Sequence, residues 1–166
     1  NTIAWYENNG AADPSWTAAD IVTNANGPRS VFAADMDGDG DMDIVSASYD
    51  GDTIAWYENN GAADPSWTAA NIATSAGGAM SVFAADMDGD GDMDIVSASF
   101  NTDTIAWYEN NGAADPTWTA ADISTSADGA IHVFAADMDG DGDMDIVSAS
   151  DQDDTIAWYE NNGAAD

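Results

Sequence analysis

Short runs of β-branched, aromatic and small residues recur along the chain, each bounded by turn formers. In one stretch they are SWTAADIVT (15–23), SVFAAD (30–35), DIVSASY (43–49) and TIAWYEN (53–59), set among NANGP, GDG, DGD and NNGAADP. No run outgrows a strand and none keeps a 3.6-residue period, so the pattern predicts strands and disfavours helices. SVFAAD, DIVSASY and TIAWYEN follow one another through tight turns, and NNGAADP makes a longer connection to the next SWTAAD-type strand. The unit is therefore a four-stranded antiparallel meander. VFAA and IVSAS lack the strict apolar–polar alternation of a sheet with one wet face. Such a sheet must be covered on both sides.

The whole pattern returns at a shift of 51 residues: Thr2, Thr53, Thr104 and Thr155 each open TIAWYENNGAAD, and Asp35, Asp86 and Asp137 each open DMDGDGDMD. Residues 1–166 read as a single repeat array, with units of about 2–52, 53–103 and 104–154 and a partial unit 155–166. Radial stacking covers both faces of each sheet, so the predicted fold class is all-β, tandem four-stranded antiparallel blades of β-propeller type. A linear stack of β units and a β-sandwich are the alternatives. Trp5, Trp56, Trp107 and Trp158, with Trp16, Trp67 and Trp118, are expected as core between blades rather than as a sugar-stacking platform. Three blade equivalents fall short of the roughly four to eight that close a propeller. The array is thus expected to be incomplete without a partner or more chain, its exposed edges inviting another copy into a ring or a filament.

Composition changes this picture in two ways. Hydrophobic types make up 45% of the 166 residues, enough for a packed interior, yet 32 acidic residues face a single basic one, Arg29, for a formal charge of -31. A compact fold must hold that charge against its own repulsion, which implies a cationic partner. Nucleic acid and anionic membrane are poor partners, because binding phosphate needs clustered Lys and Arg, and neither nucleic-acid binding nor membrane insertion is expected. No run approaches the ~18 apolar residues of a spanning helix. There is no cysteine, hence no disulfide and no thiolate metal site. Starting at Asn1 without an initiator Met or a signal-like stretch, the chain reads as an excerpt of something longer.

The acidic nonapeptide supplies the candidate chemistry. Asp35, Asp37, Asp39, Asp41 and Asp43 alternate with Met36, Gly38, Gly40 and Met42, placing a carboxylate at every odd position. Crowded carboxylates repel and raise one another's pKa unless a cation joins them. Ca²⁺ takes six to eight oxygens and a glycine at the sixth position, here Gly40, lets a loop wrap around it. The twelfth position is Ser46 and β formers follow, so the loop is not an EF-hand. By position, Asp35, Asp37, Asp39 and Asp43 are side-chain ligands, and Asp41 a backbone-carbonyl donor with its carboxylate turned to solvent or a bound water. Magnesium holds its waters too firmly for such a cage, and zinc or copper would want His or Cys. The competing reading, an acidic turn that is merely solvated, does not explain odd-position spacing kept in three copies.

VFAADMDGDGDMDIVSAS followed by TIAWYENNG resembles the FG-GAP or VCBS-type repeat, the unit also found in the propellers of integrin α-subunits and in many secreted bacterial proteins. The resemblance covers nearly the whole chain. It implies a calcium-binding hairpin loop between the first two strands of each blade, with ligands at Asp35, Asp37, Asp39 and Asp43, at Asp86, Asp88, Asp90 and Asp94, and at Asp137, Asp139, Asp141 and Asp145. Asp41, Asp92 and Asp143 fall where that family contributes a main-chain oxygen. One Ca²⁺ per repeat, three in all and structural in role, is the expectation. The 51-residue unit is shorter than many family members, and the copy number is below the seven blades the family usually closes.

Unique chemistry would have to lie where the copies differ. Arg29 is replaced by Met80 and Ile131, and His132 stands where Ser30 and Ser81 stand. A lone His without a nucleophile or paired base makes no triad, and the paired carboxylates are committed to the cation, so no enzyme and no catalytic residue is expected. The leading expectation is an extracellular, secreted or cell-surface calcium-binding scaffold or filament built head to tail from copies of itself. The alternative is an adhesive or lectin-like module for a carbohydrate or extracellular protein, using Glu7, Asn8, Asn9 and Gly10 beside Tyr6 and their repeats at 58–61, 109–112 and 160–163. An accessory domain of a secreted enzyme and a designed repeat are further readings. No Asn-x-Ser/Thr acceptor is present, so N-linked sugar is not expected.

Overall fold

The computed structural model describes residues 1–163 and, among them, contains thirteen strands and no helix. β1 (Ile3–Asn8) and β2 (Trp16–Val22) form a two-stranded half sheet. The first full sheet holds β3 (Pro28–Ala34), β4 (Asp43–Ser48), β5 (Thr53–Asn59) and β6 (Trp67–Ala73). β7 (Ala79–Ala85), β8 (Asp94–Ser99), β9 (Thr104–Asn110) and β10 (Trp118–Ser124) form the second full sheet. β11 (Ala130–Ala136), β12 (Asp145–Ser150) and β13 (Thr155–Tyr159) make a three-stranded terminal sheet. Neighbours follow chain order and are antiparallel throughout, the meander that the turn spacing predicts. Each full sheet takes its first two strands from one 51-residue sequence unit and its last two from the next.

Register is kept from sheet to sheet: Ser46 faces Ala55, Ser97 faces Ala106 and Ser148 faces Ala157. The first strand of each of the three larger sheets carries a bulge, between Pro28 and Ser30, Ala79 and Ser81, and Ala130 and His132. A bulged residue has no partner in the ladder. That extra residue is Arg29, Met80 or Ile131, which accounts for tolerated variation there; Arg29 lies over the Tyr49 ring, 5.2 Å from its centroid. His132 is exposed on β11.

The second full sheet is buried on both faces, as VFAA and IVSAS require, while the outer sheets are covered on the faces that meet a neighbour. Val45, Ala47, Ile54 and Trp56 of the first full sheet pack against Val82, Ala84, Ile95 and Tyr108 of the second. Val96, Ala98 and Ile105 of the second meet Val133, Ala135 and Ile146 of the terminal sheet. Ile54, Ile95 and Ile105 are wholly inaccessible, each worth about 1.5–3 kcal/mol against exposure. Phe32, Phe83 and Phe134 form a ladder across the sheets with ring centroids 4.6 and 4.8 Å apart. The tryptophans are less uniform than the sequence suggests. Trp56 is buried and Trp107 half-buried between sheets, and Trp67 and Trp118 are half-buried against the sheet before them, but Trp16 and Trp158 are exposed because no sheet covers the face on which each lies.

Candidate metal centre

Each acidic nonapeptide is the hairpin between the first two strands of a sheet: β3–β4, β7–β8 and β11–β12. Its shape comes from its own carboxylates. Asp35 accepts the Gly38 N–H on one oxygen and the Gly40 N–H on the other, each at 2.9 Å, while Asp37 accepts from Asp39 at 3.2 Å and Asp39 from Asp41 at 2.8 Å. The same bonds recur from Asp86, Asp88 and Asp90 and from Asp137, Asp139 and Asp141. Gly40, Gly91 and Gly142 have φ of 96°, 100° and 103°, a region that penalises a side chain, so the tight coil needs glycine there.

Asp43, Asp94 and Asp145 close the loops from beneath and are wholly buried. Asp43 accepts the Met36 N–H at 3.1 Å and the Asn59 N–H at 2.8 Å, tying the loop to β5; Asp94 and Asp145 do the same with Met87 and Asn110 and with Met138 and Asn161. Burial raises the Asp43 carboxyl and pushes Asp94 up to about 6, although the backbone N–H groups of Asn110 and Met87 favour its charged form. In the terminal sheet the Asn161 N–H dominates instead and lowers Asp145. Burial raises Asp37 and Asp88 too, helped by the charges of Asp35 and Asp39 and of Asp86 and Asp90.

Three carboxylates per loop present oxygens that all lie within 4.8 Å of one another: Asp35, Asp37 and Asp43 in the first, Asp86, Asp88 and Asp90 in the second, Asp137, Asp139 and Asp141 in the third. Each triad can hold a metal ion, one per repeat. Asp39, Asp94 and Asp145 stand beside these triads. Asp41, Asp92 and Asp143 turn elsewhere: their carboxylates lie against the α-carbons of Gly61, Gly112 and Gly163, rather than in open solvent. These glycines follow the third strand of each sheet and leave room for the carboxylate, since a β-carbon on any of them would collide with it.

Sequence reasoning missed the part played by the NNG turn. Asn59 Nδ2 donates to the Met42 carbonyl at 3.1 Å, and Asn60 Oδ1 accepts from Ala62 and Ser66, so these amides build the loop and the turn. Asn110 and Asn161 go further, donating to Met36 and Met87 of the preceding sheet, each at 2.8 Å. The signal was a constant separation of 16 residues between the buried Asp and this Asn, kept in every sheet. Tyr57 and Tyr108 are buried and Asn110 is engaged between sheets, whereas Tyr6 and residues 7–10 beside it are exposed.

Stacked four-stranded sheets with an acidic loop on each first hairpin define a β-propeller-like tandem repeat protein. The chain belongs to the FG-GAP-like repeat family, whose model matches residues 1–46, 35–97 and 86–148. No curated protein matches it.

Proposed function

We propose that this chain is a non-enzymatic calcium-binding scaffold, in which one Ca²⁺ per repeat rigidifies a sheet that then docks on its neighbours and on further copies of the chain, in a ring or a filament. The observation that carries the calcium reading is the oxygen-only triad in each loop, coiled by glycines at positive φ, with a buried Asp that belongs to the triad in the first loop and stands beside it in the other two. A hard cation with six to eight oxygens fits that donor set, with Asp35, Asp37, Asp39 and Asp43, their counterparts, and the carbonyls of Asp41, Asp92 and Asp143 as the groups to hold it. Zinc would look for nitrogen or sulfur. Bound Ca²⁺ supplies positive charge where burial otherwise opposes ionisation, and ligand that binds only the folded state stabilises it by mass action. An extracellular setting suits such a site, because weak modular calcium sites fill where calcium is near millimolar. Thermal melting with calcium and with chelator tests the reading: a melting point unmoved by calcium removes it.

A further inference from the structure

The two end faces of the stack are the two halves of the interface already formed twice inside it. Ile54 and Ile105 are 0% exposed between sheets, but the same residue on the terminal sheet, Ile156, is 81% exposed, beside Trp158 at 50% and Phe134 at 47%. On the opposite side, Val31 is 53% exposed where Val82 and Val133 are 4% and 1%. Since Ile54 packs in one cluster with Val82, the Ile156 face is complementary to the Val31 face of a second copy.

Simple stacking of those faces is blocked. The half sheet already lies on the rear of the first full sheet, where Ile3, Ile21 and Val22 cover Ala55 and Tyr57. It occupies the outer part of a preceding sheet: Asn1 accepts the Gly27 N–H at 3.3 Å, as Asp52 accepts that of Gly78 at 2.7 Å and Asp103 that of Gly129 at 2.9 Å. β1 is therefore the counterpart of β5, β9 and β13, and it shares the sequence IAWY with them. Docking a second copy brings its β1 and the first copy's β13 to one position beside β12. Strands pair about 4.7–4.9 Å apart, so only one of them fits.

We propose that β1 wins: the chain self-associates by strand exchange, β11–β12 of one copy being completed by β1–β2 of another while β13 is displaced. This rests on the self-association reading above. Ile3 is 6% exposed and Ile156 81%, so β13 is the strand less anchored by packing. Its bonds are replaced in kind, because Asn8 of the incoming strand is the counterpart of Asn161, which serves Asp145, Met87 and Met144. The gain is a sheet of four strands and the covering of the Phe134 and Val31 faces. Made reciprocally by two copies, the contact yields six four-stranded sheets, within the range of roughly four to eight at which propellers close.

Cysteine pairs report the exchange, since the chain has no native cysteine. The register that sets Ser148 opposite Ala157 sets it opposite Ala4 of a second copy after exchange. Single variants Ser148→Cys and Ala4→Cys, mixed in calcium and oxidised, should give a disulfide-linked two-chain species. The double variant Ser148→Cys/Ala157→Cys locks β13 onto β12; once oxidised it should run at the mass of one chain by light scattering, and on reduction at that of two. Ser148 Oγ is buried without a hydrogen-bond partner, so cysteine is a mild replacement there. An oxidised, locked chain that associates like the unlocked one overturns the exchange and leaves self-association standing. A wild-type chain of single mass at all concentrations in calcium overturns both.

Discussion

Asn110 Nδ2 lies 2.8 Å from the carbonyl oxygen of Met36, and the bond joins the second full sheet to the acidic loop of the first. The same amide holds the Met93 carbonyl of its own loop at 3.1 Å. One side chain thus fixes two loops in adjacent sheets, and Asn161 repeats the arrangement with Met87 and Met144.

Replacing Asn110 by Ala leaves a buried carbonyl without its donor, which should cost about 1–3 kcal/mol. Asn59 donates only within its own sheet, to Met42, so Asn59→Ala should cost less. Urea unfolding of the two variants provides the comparison, and equal losses would show that the bond between sheets carries no extra stability.

Glycines of the NNG turn separate steric from conformational cost. Gly10 and Gly112 have φ of 69° and 64°, yet a β-carbon at Gly10 meets nothing within 4 Å while one at Gly112 runs into the Asp92 carboxylate. Gly10→Ala should cost about 1 kcal/mol, and Gly112→Ala about 3 kcal/mol with weaker calcium binding at the second loop. Similar melting points for the two variants would remove Asp92 packing as a constraint.

Much of this was legible in the residues. The 51-residue shift, the turn formers and the two-sided apolar strands gave the meander and its stacking, because period and turn chemistry are local properties. The oxygen-donor spacing of DMDGDGDMD pointed to the loops. The packing of Asp41 on Gly61 was not readable because it depends on how two loops of one sheet meet, and the reach of Asn110 to Met36 and the uneven burial of the seven tryptophans were not because they depend on which sheet lies next to which face. Identical repeats conceal this: Ile54 and Ile156 sit in the same motif and differ only in what covers them.

Calcium and pH should act in opposition. Asp94 titrates at about 6 in the folded metal-free chain against an ordinary 3.8, so the folded state binds that proton more tightly than the unfolded one. Its contribution is complete below about 4 and is lost as pH rises through about 6. Asp37, Asp43 and Asp88, also raised, act in the same direction; Asp145, lowered, acts in the opposite sense at more acidic pH. In chelator, melting should therefore fall between pH 4.5 and 7.5, and the stabilisation given by calcium should grow over the same interval. A chelated chain that melts higher at pH 7.5 would contradict this.

Counting bound calcium tests the central claim most directly. Calorimetric titration of the chelator-stripped chain at neutral pH should find three Ca²⁺ per chain, and two after Asp88→Asn, with the melting point rising as the sites fill. A titration that finds no calcium taken up by the folded chain, or three ions still bound by the Asp88→Asn variant, would contradict it.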